Sequence, residues 1–169
     1  MRVSFESIEL VLPIVLAVHN ADEYARYEEF VHAYHSRLGK NLTSRPVVRY
    51  AATLLTLFVA VLSGLAYAFK DHVFVSMCKV AIFALTMNAI SHCVLSFRRR
   101  RILPGTLSAA LLVLPYSVFA VANMLGGGGD SYSDLLILAV LGVITVPVAV
   151  MLFLWIGYGI SRLEARGAS

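Results

Sequence analysis

From Leu135 to Ser161 the chain carries no charged side chain. A helical run of about 20 apolar residues matches a hydrocarbon layer of roughly 30 Å. Comparable runs cover about 47–69, 73–97 and 104–125. With 59% hydrophobic and 14% charged residues and a mean hydropathy of +0.79, the chain departs from soluble domains, which are about 25% charged. A core of 169 residues has too little interior to bury this much apolar surface, so the solvent for it is lipid. The expected fold class is all-α: a polytopic membrane helix bundle forming a single domain over the whole chain.

A fifth run is shorter. Leu10 to Val18 is apolar but flanked by acids, and the first helix is expected over about 5–24 with Pro13 bending it. A cleaved signal peptide fits poorly, because Glu6 and Glu9 spoil the basic n-region and no small-x-small step precedes His19. Over about 23–38, Tyr27, Phe30, Val31, Tyr34 and Leu38 recur at helical spacing with Arg26, Glu28, Glu29, His32 and Ser36 opposite. That pattern predicts an amphipathic helix in the membrane interface. The remaining helices are expected over about 47–69, 73–97, 104–125 and 134–160, giving about five transmembrane helices.

Charge placement sets the orientation. Arg26, Arg37, Lys40, Arg45 and Arg49, the run Arg98 to Arg101, and Arg162 with Arg166 fall on one side, against Arg2 and Lys70 on the other. The positive-inside rule then predicts the N-terminus outside and the C-terminus cytoplasmic, in a plasma or inner membrane. Lys79 is expected to snorkel toward the outer end. The net charge of +4 sits in short connecting segments, and aromatics do not alternate with it, so a nucleic-acid partner is excluded. Cys78 and Cys93, four turns apart on one helix, read as buried apolar residues rather than a disulfide.

Under this topology the buried polar groups cluster in one leaflet. His19 and His92 lie at nearly the same depth, roughly 7–8 Å in from the cytoplasmic ends of their helices at ~1.5 Å per residue. Asn88 is one turn deeper on the face of His92, and Asp22 and Glu23 share a helical face with His19. Pro104-Gly105 re-enters from the same side, its glycine allowing a neighbour to approach. The outer half is expected to hold almost nothing polar except Lys79 and hydroxyl groups, which argues against a continuous transport route.

Two histidines and a carboxylate suit zinc, iron or manganese, with Asp22 or Asn88 as a partner for a ligating imidazole. Without metal, a histidine–carboxylate pair is an acid–base couple. The same residues also suit an interhelical hydrogen-bond cluster. A second group, Glu28, Glu29, His32 and His35, reads as a solvated helix face, because no interior carboxylates on other helices complete a di-iron set.

The order of motifs is similar to a known pattern. His19-Asn20-Ala21-Asp22-Glu23, then Asn88-Ala89-Ile90-Ser91-His92, then Pro104-Gly105 resembles the HXXEE-motif family of small integral membrane proteins, with Asp22 in place of the first glutamate. The resemblance implies a multi-helix membrane protein with an active or metal site and brings no assigned reaction. The expected function is a membrane-embedded enzyme, such as a metal-dependent hydrolase, acting on a lipid or isoprenoid substrate at the cytoplasmic leaflet. His19, Glu23 and His92 would hold a divalent metal or carry acid–base chemistry, with Asp22 and Asn88 orienting them. The alternative is a non-enzymatic carrier or helper protein whose polar cluster is structural.

Overall fold

The computed structural model describes residues 5–29, 31–32, 39–126 and 130–167, with side chains from Ile8 onward. Its long helices are α1 (Phe5–Ala25), α2 (Arg45–Phe69), α3 (His72–Arg99), α4 (Thr106–Gly126) and α5 (Tyr132–Gly167). No strand occurs among the described residues. Pro13 lies inside the unbroken α1. Helical geometry resumes over 27–29 and 31–32 after a turn at Arg26; the rest of the expected interfacial helix, residue 30 and residues 33–38, lies outside the described residues.

The helix ends follow from local chemistry. Pro46 occupies the first turn of α2, where its missing N–H costs nothing. Lys70 closes α2 in the left-handed conformation (φ 51°), its N–H returning to the Ala66 carbonyl. One residue later Asp71 opens α3, its carboxylate accepting the Val73 N–H at 2.8 Å. A left-handed stop followed directly by an acidic cap makes the tightest of the interhelical turns.

Four helices, α2 to α5, are long and apolar enough to cross a membrane. The fifth expected span, α1, has 21 residues, about 31 Å at ~1.5 Å per residue. Its acids Glu6, Glu9, Asp22 and Glu23 set it apart from the other four. The fold is therefore compatible with a multi-pass membrane protein. Its outward surface carries Ile14, Val61, Leu111, Val118, Leu136 and Val148, all exposed, as a lipid-facing surface requires.

Helix α1 packs against α2 and α4, while α5 lies against both α2 and α3. The buried face of α1 runs through Ile8, Glu9, Leu12, Val15, Leu16 and His19, a stripe at helical spacing. Leu12 and Val15 meet Ile82, Leu85 and Ala89 of α3 and Val113 and Ala120 of α4 in one core. Glu9 corrects the expectation of an almost apolar outer half, because it sits on this stripe and is 1% exposed. Lys79 reaches the α4–α5 end of the bundle, where its Nζ meets both carboxylate oxygens of Asp130 at 2.7 Å.

At the opposite end the basic residues gather. Arg26 donates to the Ile102 and Leu103 carbonyls, Arg45 stacks over Tyr24 and Tyr27, and Tyr50 donates to Glu164. These contacts bring the end of α1, the start of α2, the α3–α4 connection and the tail of α5 to one pole.

Two glycines let α5 approach its neighbours. A Cβ on Gly142 would stand 2.7 Å from Phe83 Cβ and 2.8 Å from the Ala84 nitrogen; one on Gly157 would stand 2.7 Å from the Val47 carbonyl oxygen. Both obstacles are close-packed against backbone, so the helices themselves must separate. Gly142→Ala is expected to destabilise the bundle by about 1–3 kcal/mol through overpacking, read as a lower Tm in detergent. Gly159→Ala, with nothing within 4 Å, is the control and should leave Tm unchanged.

Candidate functional site

The site begins with an unmet need at the start of α4. The first N–H groups of a helix lack intrahelical acceptors, and the capping position here is Gly105, which has no side chain to offer. Asp22 supplies the acceptor from α1: its Oδ2 takes the Ser108 N–H at 3.1 Å and the Ser108 hydroxyl at 2.8 Å. A carboxylate at a helix N-terminus is also favoured by the helix dipole. Asp22 thus caps α4 across the bundle, and its other oxygen faces Arg26 at 3.4 Å.

Ser108 passes the order on to His19. The imidazole Nδ1 lies 2.9 Å from Ser108 Oγ. Since the single hydroxyl proton points to Asp22, Nδ1 must carry the hydrogen and donate it. In the neutral ring Nε2 is then the bare nitrogen, and the Asn88 amide donates to it at 3.0 Å. Asp22, Ser108, His19 and Asn88 form one hydrogen-bonded line across α1, α4 and α3.

Glu23 and His92 complete the centre. Glu23 Oε1 accepts from His92 Nε2 at 2.7 Å and lies 3.6 Å from His19 Nε2. The two imidazoles stand edge to face with centroids 5.2 Å apart. His19 and His92 are buried, at 1% and 4% side-chain exposure, whereas Glu23 at 20% reaches the surface.

Gly105 forms the wall beside them. Its φ of +79° is left-handed, and an added Cβ would stand 2.9 Å from Glu23 Cγ and 3.1 Å from His92 Cε1. Only glycine meets both demands without strain. The π-helical turn Ala109–Val113 follows immediately on Ser108, a distortion that recurs at functional sites.

His19, Glu23 and His92 present donor atoms within 4.8 Å of one another, and among the described residues they are the trio able to hold a metal ion. Ligand bonds of about 2.0–2.1 Å require donor atoms more than 3 Å apart. The separation of His92 from Glu23 must therefore widen, His92 Nε2 must give up the proton that it donates to Glu23, and Asn88 must release His19 Nε2. The donor set fits a divalent ion after those adjustments.

Of the residues singled out in the sequence, His19, Glu23 and His92 converge, and Asn88 contacts His19 directly. Asp22 reaches His19 only through Ser108. Glu28, Glu29 and His32 are exposed and stand apart from the centre, and His35 lies outside the described residues. Pro104-Gly105 was expected to open α4; the helix begins one residue later, with Gly105 as its cap. Ser108 was missed. Its signal in the sequence is a hydroxyl three residues beyond the Pro-Gly step, at the first turn of an apolar helix.

The family of proteins of unknown function with an HXXEE motif matches residues 10–120. The chain belongs to the HXXEE family. The match runs from within α1 to most of α4 and takes in every residue of the centre, while α5 lies beyond it. Comparison with curated proteins and with solved structures finds no match.

Two substitutions probe this HXXEE centre. Ser108→Ala removes the hydroxyl partner of His19 Nδ1 and one of the contacts of Asp22, which keeps the residue-108 N–H and Arg26. The cost is about 1–3 kcal/mol for the buried imidazole nitrogen left unsatisfied, read as a lower Tm. Gly105→Ala should cost a similar amount, about 1–3 kcal/mol, because both its φ and its space are forbidden to alanine. Equal Tm values for wild type and Ser108→Ala would contradict the hydroxyl bridge.

Proposed function

We propose that this protein is a membrane-embedded enzyme acting on a lipid or isoprenoid substrate at the cytoplasmic leaflet. The observation that carries the reading is the buried His19–Glu23–His92 cluster, open through Glu23 at the basic pole of the bundle. Placing two imidazoles and two carboxylates in a low-dielectric interior is costly, and such groups mark function. Glu23 paired with His92 is an acid–base couple at hydrogen-bond distance. A divalent metal (zinc, iron or manganese) held by His19, Glu23 and His92 would add an activated water for hydrolysis. Asp22, Ser108 and Asn88 orient the His19 ring in either case.

In this reading α1 is the fifth span, the N-terminus is outside, and the basic pole is cytoplasmic, in a plasma or inner membrane. The distribution of arginines supports that orientation. Ser133→Cys should label with a membrane-impermeant maleimide in intact cells, and Ala165→Cys only after permeabilisation. The reverse pattern would overturn the orientation.

A second reading is favoured by the hydrogen bonds that join helices. Asn20 donates to Ala52 and Thr56 of α2, Asn88 to His19, and Asp22 caps α4. The cluster would then be structural, in a carrier or helper protein. Metal analysis and thermal stability separate the two readings. The enzyme with metal predicts near-stoichiometric bound metal in gently purified protein, lost in His19→Ala and His92→Ala, with an altered lipid profile in cells carrying His92→Ala. Metal-free but active protein leaves the Glu23–His92 couple as the catalyst. A loss of Tm in His92→Ala that matches its loss of function in cells favours the structural reading.

A further inference from the structure

The arginine run at the end of α3 does more than mark a cytoplasmic boundary. Arg100 ends the helix in the left-handed conformation (φ 51°), a geometry in which non-glycine side chains are uncommon. The turn sends Arg101 back along α3, its N–H bonding to the Ser96 carbonyl at 3.2 Å, and Leu103 then donates to Ser96 Oγ at 3.0 Å. The folded-back segment and the end of the helix border a broadly open cleft of about 630 Å³ lined by Ser96, Phe97, Arg98, Arg100, Arg101 and Ile102.

The lining has a distinctive chemistry. Three arginines line the cleft and no acidic residue does. Guanidinium forks recognise phosphate oxygens in pairs. Beside them Phe97 and Ile102 stand 85% and 56% exposed, apolar surface suited to acyl chains. A cationic cup with an apolar flank, at the level where the bundle meets the membrane surface, matches an amphiphile with an anionic head.

The position relative to the centre is equally telling. Ser96 is one helical turn beyond His92, about 6 Å along the axis at ~1.5 Å per residue. The same 101–105 segment that walls the cleft continues into Gly105, which touches Glu23 and His92. We propose that Arg98, Arg100 and Arg101 bind the phosphomonoester headgroup of a membrane lipid, whose three free oxygens suit guanidinium forks, and thereby hold it beside the His19–Glu23–His92 centre. The proposal deepens the enzymatic reading by naming the substrate class, a phosphorylated lipid, and rests on that reading for its consequence though not for its binding step.

The test is lipid retention by the full chain in native mass spectrometry, without turnover. The probes are phosphatidic acid, phosphatidylglycerol, phosphatidylcholine and inorganic phosphate. Wild type should retain phosphatidic acid at least tenfold better than phosphatidylcholine and several-fold better than phosphatidylglycerol. R98Q/R100Q/R101Q should bring these preferences to within twofold. R98K/R100K/R101K keeps the topogenic charge, so it carries the test if the glutamine variant fails to insert; about tenfold weaker retention is expected there. His92→Ala should retain the lipid like wild type, since catalysis and binding are separate; loss of activity with intact retention therefore speaks to the enzymatic reading alone. Unchanged retention in the folded arginine variants overturns the proposal. So does equal retention of phosphatidylglycerol, which marks a general anionic attraction, or displacement of the lipid by equimolar inorganic phosphate, which makes the ligand the free anion.

Discussion

The interaction on which the rest depends is the cap that α1 places on α4. A helix that starts inside a bundle cannot leave its first N–H groups to water, and Gly105 offers no cap of its own. Asp22 meets the need from a different helix. Once that carboxylate is committed, Ser108 is committed, and through it the tautomer of His19. The bare Nε2 of His19 then faces Asn88, Glu23 and His92. A structural requirement at a helix terminus thus selects the protonation pattern of a chemical centre.

The replacement of the first motif glutamate by Asp22 takes on meaning in this light. The carboxylate at this position does not enter the centre; it reaches sideways to a backbone N–H and a hydroxyl. The shorter side chain here makes both contacts at 3.1 and 2.8 Å. Glu23, one residue on, points into the centre and lies against Gly105. Two adjacent acids on one helix therefore serve different ends, one holding the architecture and the other meeting His92.

Much of the arrangement was legible in the chain. Long apolar runs predicted α2 to α5, because helices of that length and hydropathy need little else to declare themselves. His19, Asn88, Glu23 and His92 were legible because ionisable groups are conspicuous in apolar surroundings and their helical spacing aligned their depths. Ser108 was not, since its one local signal, a hydroxyl three residues past Pro104-Gly105, is ordinary in an apolar helix and does not say that it bridges two other helices. Glu9 was misjudged for a related reason: which way a helix turns its face depends on its neighbours, and the stripe through Leu12, Leu16 and His19 carried Glu9 inward.

The sequence by itself determined the all-helical class, the four runs long and apolar enough to cross a membrane, the concentration of arginine near one end and the family motif. Periodicity, length and charge are local properties, and they act before any helix meets another. Only the tertiary structure decided which polar atoms pair: that Asp22 caps α4, that Ser108 links Asp22 to His19, that His92 faces Glu23 and that Gly105 must be glycine. Those outcomes require groups up to 89 residues apart in the chain to come within hydrogen-bond reach, and hydrogen bonds lose their worth within a fraction of an ångström. No local pattern can specify them.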